Sequence, residues 1–494
     1  MAMPRRDVLR GGAALALAGA LPKGEDQRPN VLLIIADQHR HDASGFAGAA
    51  HASTPNLDAL ASASTRFSDA YCQVPLCVPS RQSLLTGRYG SSHGSFRNRH
   101  ADVNGERTFA HDFQDAGYFT GWIGKTHCNT QGFASTVSQD DLLTAYRAQE
   151  PEAFMASAPM GDRASSIPTL DPMNPGCQRA GQGPVFRMEE HVVERSGEWL
   201  KEAPKSKPYL LVASFLNPHP PLFPPDEFLA MYRDAELPHA SAFAERNARP
   251  FTDLQRRRRI SRWRSLPDST VLGITRAYFA SVAWMDACVG KLLDQLDGMA
   301  QQRETLVVYT SDHGEMLGEH GLWQKRALYE GATRVPLILR WPGKLAAGKK
   351  RTEVVEHLDL TRTLYDLCGV PCRLESSGRS FAPLLLGREQ DWKNRARIEL
   401  TSTISLPKGT ELKSGGDKPP AGYWALRMDH WKYIEHSSEE RGLYDLASDP
   451  GELVNLVQQP KYVDLVQAMR SELLDANPDR WSFHRGKGQT GEGR

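Results

Sequence analysis

Val31-Leu32-Leu33-Ile34-Ile35-Ala36 runs without a polar residue into Asp37-Gln38-His39. An apolar run with no alternation matches a strand covered on both faces, as in a sheet lying between layers of helices. The carboxyl end of such a strand is where open α/β sheets collect ligand-handling groups. The same grammar recurs. Thr120-Gly121-Trp122-Ile123 runs into Gly124-Lys125-Thr126-His127, residues 209–215 into Asn217-Pro218-His219, and residues 305–310 into Ser311-Asp312-His313-Gly314. A further strand is expected over 335–339. A single polar residue after a strand usually only starts a loop. If these strands lie parallel in one sheet, their polar ends meet at one edge and build a cleft.

Helical patterns separate the strands, over 54–63, 189–200, 274–296 and 358–367. Alternation of strand and helix makes the class α/β. Past 380–388 the pattern changes. Ile398-Glu399-Leu400, Tyr423-Trp424-Ala425-Leu426, Lys432-Tyr433-Ile434 and Gly442-Leu443-Tyr444-Asp445-Leu446 read as a small antiparallel sheet, followed by an amphipathic helix over 462–474. The expected division is a catalytic domain over 28–384 and a C-terminal α+β unit over 385–494. Residues 131–184, rich in Ser, Ala, Pro and Gly, read as a long loop over the cleft mouth. Arg256-Arg257-Arg258-Arg259 with Arg262 and Arg264 can attract an anionic polymer, but reads first as a solvated helix face. The Gly-rich tail after Arg485 is expected to be mobile.

The 494 residues suffice for a large core and more than one domain. Sixty Lys and Arg against 59 Asp and Glu give no global sign of a nucleic-acid partner. Residues 1–24 carry Arg5-Arg6 and Arg10, a short apolar run and the small-residue triplet Ala18-Gly19-Ala20. They resemble a twin-arginine export signal, too short to span a bilayer. The expectation is a periplasmic or secreted protein with no stable membrane insertion. Seven cysteines permit one converted residue and up to three bridges. Cys368 and Cys372 are close enough to bridge, and Cys288 sits in an apolar helical pattern.

Cys77-Val78-Pro79-Ser80-Arg81-Gln82-Ser83-Leu84-Leu85-Thr86-Gly87-Arg88 reads as a loop entering a helix, with Pro79 in the first turn and Gly87 as a left-handed end. Cys77 then lies just before the helix, facing free N–H groups, with Arg81 one turn on. A thiol there is expected to be acidified, or the position to hold an oxyanion. A lone cysteine so placed is otherwise a buried small hydrophobe or half of a disulfide. Asp37 and Asp312 offer hard oxygens, Gln38 a neutral oxygen and His313 a nitrogen. The oxygens suit Ca²⁺ or Mg²⁺, the imidazole a transition metal.

Residues 77–88 resemble, position by position, the signature of the type I, formylglycine-dependent sulfatases of the alkaline-phosphatase-like superfamily. The run Gly117-Tyr118-Phe119-Thr120-Gly121-Trp122-Ile123-Gly124-Lys125-Thr126-His127 resembles the second signature in full. Asn217-Pro218-His219-Pro220, Gln324-Lys325, Asn98 and the Leu443-Tyr444-Asp445-Leu446 turn resemble further family elements. The resemblance implies a large domain with a central mixed sheet flanked by helices, and a smaller one with a four-stranded antiparallel sheet. It implies that a formylglycine-generating enzyme oxidises Cys77. Residue 77, Asp37, Gln38, Asp312 and His313 would hold Ca²⁺, with Mn²⁺ or Mg²⁺ as alternatives.

It also implies that Asn98, Lys125, His219 and Lys325 bind the sulfate, with Arg81 and His127 completing the catalytic set. The hydrated aldehyde would attack sulfur, and His219 or His127 would protonate the departing alcohol. The implied activity is hydrolysis of a sulfate ester on a carbohydrate or small molecule. Gln38 departs from the commoner Asp and resembles the branch that holds phosphonate monoester hydrolases, so a phosphonate monoester or phosphodiester hydrolase is the first alternative. His127 argues against it. The second alternative is a non-catalytic glycan-binding protein with unmodified Cys77.

Overall fold

The computed structural model describes residues 28–98, 106–142, 144, 184–222, 224–237, 251, 254, 268–299, 305–388, 391–401 and 422–475. The segment expected to be an export signal, the Arg256–264 cluster, most of 131–184, Cys177 and the tail after Arg485 lie outside the described residues. Eight strands form one sheet: β1 (Asn30–Ala36), β2 (Thr65–Tyr71), β3 (Phe119–Gly124), β4 (Ser135–Ser138), β5 (Tyr209–Ser214), β6 (Thr305–Ser311), β7 (Arg334–Arg340) and β8 (Lys349–Glu356). Their order is β4-β3-β5-β1-β6-β7-β2-β8. β3, β5, β1 and β6 are mutually parallel neighbours, and β7 pairs antiparallel with both β6 and β2. The sheet is therefore mixed.

β1 shows why its sequence lacks alternation. Val31, Leu33 and Ile35 pack in a core with Leu84 and Leu85 of α2 (Cys77–Thr86) and with Leu360 and Leu364 of α5 (His357–Cys368). Leu32, Ile34 and Ala36 pack in a second core on the opposite face. Its helices are α1 (Pro55–Ser62), α3 (Pro184–Glu202) and α4 (Asp268–Gly298), through Leu57, Val192 and Met285. A strand with helices on both faces has no solvent side to mark with polar residues.

The register aligns the strand ends. Ala36 stands opposite Ser311, Ile35 opposite Ser214, and Ser214 opposite Gly124. The residues that follow are thus delivered to one edge. Gly124 has φ +98°, and a Cβ there would stand 2.1 Å from the Ser214 carbonyl oxygen. Only glycine lets β3 close so tightly on β5 before Lys125.

β2 and β8 are not expected from the sequence. β2, Thr-Arg-Phe-Ser-Asp-Ala-Tyr, mixes polar and apolar residues and carries a register shift. β8 begins with exposed Lys349 and Lys350, a charged edge that discourages pairing with another chain. Residues 131–184 are not loop throughout, because β4 pairs with β3. Cys368 and Cys372, close enough in sequence to bridge, do not do so. Both are free thiols, as are Cys72, Cys77, Cys128 and Cys288. The Cys372 thiol instead faces the Leu374 carbonyl.

The second sheet is antiparallel, in the order β12-β11-β10-β9, from β9 (Arg395–Thr401), β10 (Gly422–Met428), β11 (Trp431–His436) and β12 (Arg441–Asp445). α6 (Val463–Asp475) covers one face through Val466, Met469 and Leu473. The other face packs Ile398, Ala425 and Ile434 into a core shared with Tyr71, Tyr278 and Val354. Among the described residues no helix is long and apolar enough to cross a membrane.

Candidate active site

Cys77 is the first residue of α2 rather than the residue before it, with Leu76 as an extended N-cap. Gly87 ends the helix at φ +65°, as its sequence position suggests. The Cys77 thiol is wholly buried. Its Sγ lies 3.2 Å from His313 Nε2 and 3.8 Å from Asp37 Oδ1. The expected acidification does not occur. Burial pushes the thiol pKa up, and Asp312 adds to this against the opposing pull of Lys325 and Arg81. Desolvation outweighs the helix N-terminus here.

Asp37, Cys77, Asp312 and His313 are all buried, and one ligand atom from each lies within 4.8 Å of all the others. They come from the ends of β1 and β6 and the start of α2. His313 Nδ1 lies 3.0 Å from the Gly314 carbonyl, which only an N–H can satisfy. Its Nε2 lone pair therefore faces inward, 3.8 Å from Asp37 Oδ1 and 3.6 Å from Asp312 Oδ1. Burial lowers the His313 pKa to about 3, so the ring is neutral. Two carboxylates and an unprotonated imidazole converging on one point suit a divalent cation.

Arg81 ties the carboxylates together. Its Nε donates to Asp312 Oδ2 at 2.9 Å, its Nη2 lies 3.6 Å from Asp37 Oδ2, and its Nη1 donates to Ser214 Oγ at 2.7 Å. Burial alone would raise the Asp312 pKa, but Arg81, Lys125 and the hydrogen bond from the Gln38 amide hold it well below the carboxylate range. Lys125 donates to Asp37 Oδ2. Burial lowers its pKa to about 7.

The remaining expected residues gather around this group. Gln38, at φ +69°, is buried with its side chain between Lys325 and Glu315. Its amide oxygen accepts from Lys325 Nζ at 2.5 Å and its amide nitrogen donates to Glu315. Lys325 Nζ also donates to His219 Nε2 at 2.7 Å, while His219 Nδ1 faces the Pro220 carbonyl. Burial, then Lys325 and Lys125, depress the His219 pKa well below the usual histidine value. Asn98 Oδ1 accepts from the Val78 amide at 3.2 Å, just behind residue 77. His127 stands at the exposed end of the Lys125 segment with φ +45°, joining none of these hydrogen bonds. Partial desolvation and the cations Lys125 and Arg81 hold its pKa below the ordinary range.

Two buried acids escaped the sequence reading. Glu315 Oε1 accepts from the amides of Leu317 (2.9 Å) and Gln324 (2.5 Å), folding the loop that presents Lys325. Glu189 of α3 accepts from the Leu216 amide, the Asn217 amide and the Asn217 side chain at 3.0, 2.8 and 2.8 Å, fixing the turn that carries His219. Glu315 directly follows the Asp312-His313-Gly314 end, but its role as a staple has no spacing signature. Glu189 sits in an ordinary helical pattern.

Burial raises the Glu189 pKa from 4.5 to about 7. Its folded form binds a proton that the unfolded chain has released, so its contribution to stability falls as pH rises from 4.5 to about 7. Glu189→Gln is expected to remove about 3 kcal/mol of that pH-dependent loss across the interval. Urea midpoints measured across the interval check this, and an unchanged slope refutes it.

The Sulfatase family matches residues 29–370. The chain is 30% identical to an arylsulfatase of Clostridium perfringens, over 90% of this chain and 94% of that one. It is 25% identical to an N-acetylglucosamine-6-O-sulfatase of Bacteroides thetaiotaomicron, over 94% and 91%. The fold superposes on a phosphonate monoester hydrolase of Agrobacterium radiobacter with a TM-score of 0.74 at 24% identity, over 91% and 96%. That last likeness is one of fold alone. Motifs, strand-end geometry and relatives agree: the chain belongs to the sulfatase family and is a sulfuric ester hydrolase.

Proposed function

We propose that this sulfatase cleaves a sulfate ester on a carbohydrate, with Cys77 oxidised to formylglycine beside a divalent cation. The observation that carries the reading is the buried convergence of Asp37, Cys77, Asp312 and His313, ringed by Arg81, Lys125 and Lys325. The unmodified thiol supports it too. Burial raises its pKa, which favours the weakly nucleophilic thiol over the thiolate and agrees with conversion of residue 77 to another group.

Asp37, Asp312, His313 and residue 77 hold the cation, Ca²⁺ first and Mn²⁺ or Mg²⁺ after it. Gln38 would join them through its amide oxygen, which accepts from Lys325 Nζ. When present, the cation and the hydrated formylglycine supply an acidified hydroxyl for attack on sulfur. Lys125, Lys325 and Asn98 meet the sulfate oxygens, and Arg81 helps to keep the Asp312 carboxylate ionised. His219 and Lys325 share one proton-bearing hydrogen bond, which places that pair to protonate the departing alcohol, with His127 at the open side. Residues 1–24 export the folded enzyme to the periplasm or beyond, after a formylglycine-generating enzyme has acted on Cys77.

The test combines intact mass with a substrate panel. The Cys77 peptide should be lighter by about 18 Da, and sulfated saccharides should release sulfate. An aryl phosphonate cleaved faster than every sulfate ester would sink the reading. For the proton donor, His219→Ala should cost about 10²-fold on a sugar sulfate but under about tenfold on 4-nitrophenyl sulfate, whose phenolate leaves unaided. Equal losses on both would remove His219 from that role.

A further inference from the structure

The turn after β12 reaches back to the segment that carries His313 and Lys325. Glu452 closes that turn, its amide donating to the Asp449 carbonyl at 3.1 Å. Its φ is 55°, a left-handed value that is costly for a residue with a Cβ and persists where the surroundings enforce it. Glu452 is buried, and its Oε2 accepts from the Glu330 amide at 2.6 Å. Glu330 opens the single helical turn Glu330–Thr333. Glu452 Oε1 lies 3.0 Å from Nζ of Lys432 on β11, which also donates to Glu330 Oε1 at 2.9 Å. Tyr71, at the end of β2, donates through its hydroxyl to Glu330 Oε2 at 2.8 Å. Lys432 is wholly buried, and an ammonium so placed is tolerable only with close carboxylate partners.

The helical turn that Glu452 holds is the backing of His313. The Gly314 amide donates to the Ala332 carbonyl at 2.9 Å, and a Cβ on Gly314 would stand 2.0 Å from the Gly331 carbonyl oxygen. The two backbones touch, so a shift of the turn is passed to Gly314. The Gly314 carbonyl in turn accepts from His313 Nδ1 at 3.0 Å. Beside Glu452, the Gly451 carbonyl accepts from His320 Nε2 at 3.0 Å. The His320 ring stacks on Tyr329, with centroids 3.9 Å apart, just ahead of Glu330.

We infer that Glu452 is a positioning residue for the active site. It fixes the Glu330–Thr333 turn and, through Gly314, the direction in which His313 presents Nε2 to the cation. This rests on the cation reading above. The partner of a ligating histidine's other nitrogen sets the ring orientation, and loosening such a partner weakens metal affinity by about 10- to 100-fold. A carboxylate shared by a buried ammonium and an amide also ties the two sheets together, so the test has to separate position from stability.

Glu452→Ala is compared with Leu473→Ala, which removes a buried side chain of α6 that takes part in none of these contacts. Full-length enzyme is stripped with a chelator and titrated with Ca²⁺ and with Mn²⁺ by calorimetry. Hydrogen exchange over residues 311–316 is followed by mass spectrometry, and urea midpoints are measured alongside. Glu452→Ala should weaken cation affinity by about tenfold or more and speed exchange of the Gly314 amide by a similar factor. Leu473→Ala should lower the urea midpoint and leave both readings near those of the unmutated enzyme. Glu452→Gln can still accept from the Glu330 amide, and should show smaller changes in the same direction if Glu452→Ala does not fold. Unchanged exchange and affinity in the Glu452 variants, or equal changes in Leu473→Ala, would overturn the inference. Unmutated enzyme that takes up neither cation would overturn the cation reading instead, and exchange at Gly314 would still decide whether Glu452 holds the turn.

Discussion

A Cys77→Ser enzyme is expected to lose multiple turnover by at least about 10⁴-fold and to gain about 80 Da on incubation with substrate. The mass marks a sulfate ester on the introduced serine hydroxyl, formed as the S–O bond to the departing alcohol breaks. The cationic surroundings that receive a sulfate are untouched by the change. Arg81 still bridges Asp37 and Asp312, and Lys125 and Lys325 still converge there. What serine lacks is a second hydroxyl from which sulfate can be expelled, so the adduct should persist. Whole-protein mass spectrometry reads the gain and chromogenic assay reads the turnover. Sustained turnover by this variant would refute a role for converted Cys77.

The second large effect is expected at Asp312. Its Oδ1 accepts from the Gln38 and His313 amides at 3.1 and 2.9 Å, and its Oδ2 from Arg81. Asp312→Asn keeps the shape but removes the charge, and can set an amide N–H against the Arg81 donor. Divalent cation content should fall well below one per chain, and kcat/KM by about 10³-fold or more. Asp312→Ala adds a stability cost of about 3 kcal/mol, since a buried guanidinium loses its closest carboxylate. Metal analysis of the purified variants and urea unfolding check the two effects separately. Full metal content in Asp312→Asn would remove this residue from the ligand set.

The thiol shows where local reading misleads. A helix N-terminus and an arginine one turn on both argue for a thiolate at position 77. Which effect wins depends on how much water the packed fold leaves around the sulfur, and it leaves none. The free Cys368 and Cys372 make the same point, since closeness in sequence says nothing of side-chain direction.

Most of the site was legible because its residues lie at the tips of strands whose apolar runs are plain. Four such runs and two long motifs sufficed to list Asp37, Gln38, Cys77, Lys125, His219, Asp312 and His313 as candidates, whereas Lys325 came only from a further family resemblance. Their assembly follows from register, which pairs Ala36 with Ser311 and Ile35 with Ser214. β2 and β8 stayed hidden because one is bulged and mixed in character and the other is a charged edge. Glu189 and Glu315 stayed hidden because buried backbone amides recruit a carboxylate wherever the fold brings one near.

The sequence alone therefore determined the class of fold, the family and the chemical groups at the cleft. Those features live in local periodicity and in short contiguous motifs. Tertiary structure alone decided that burial raises the thiol pKa, that Lys325 holds Gln38 and His219, and that Glu189 and Glu315 fix the turns carrying His219 and Lys325. Each of these depends on desolvation or on hydrogen bonds between segments far apart along the chain, which no local window of sequence encodes.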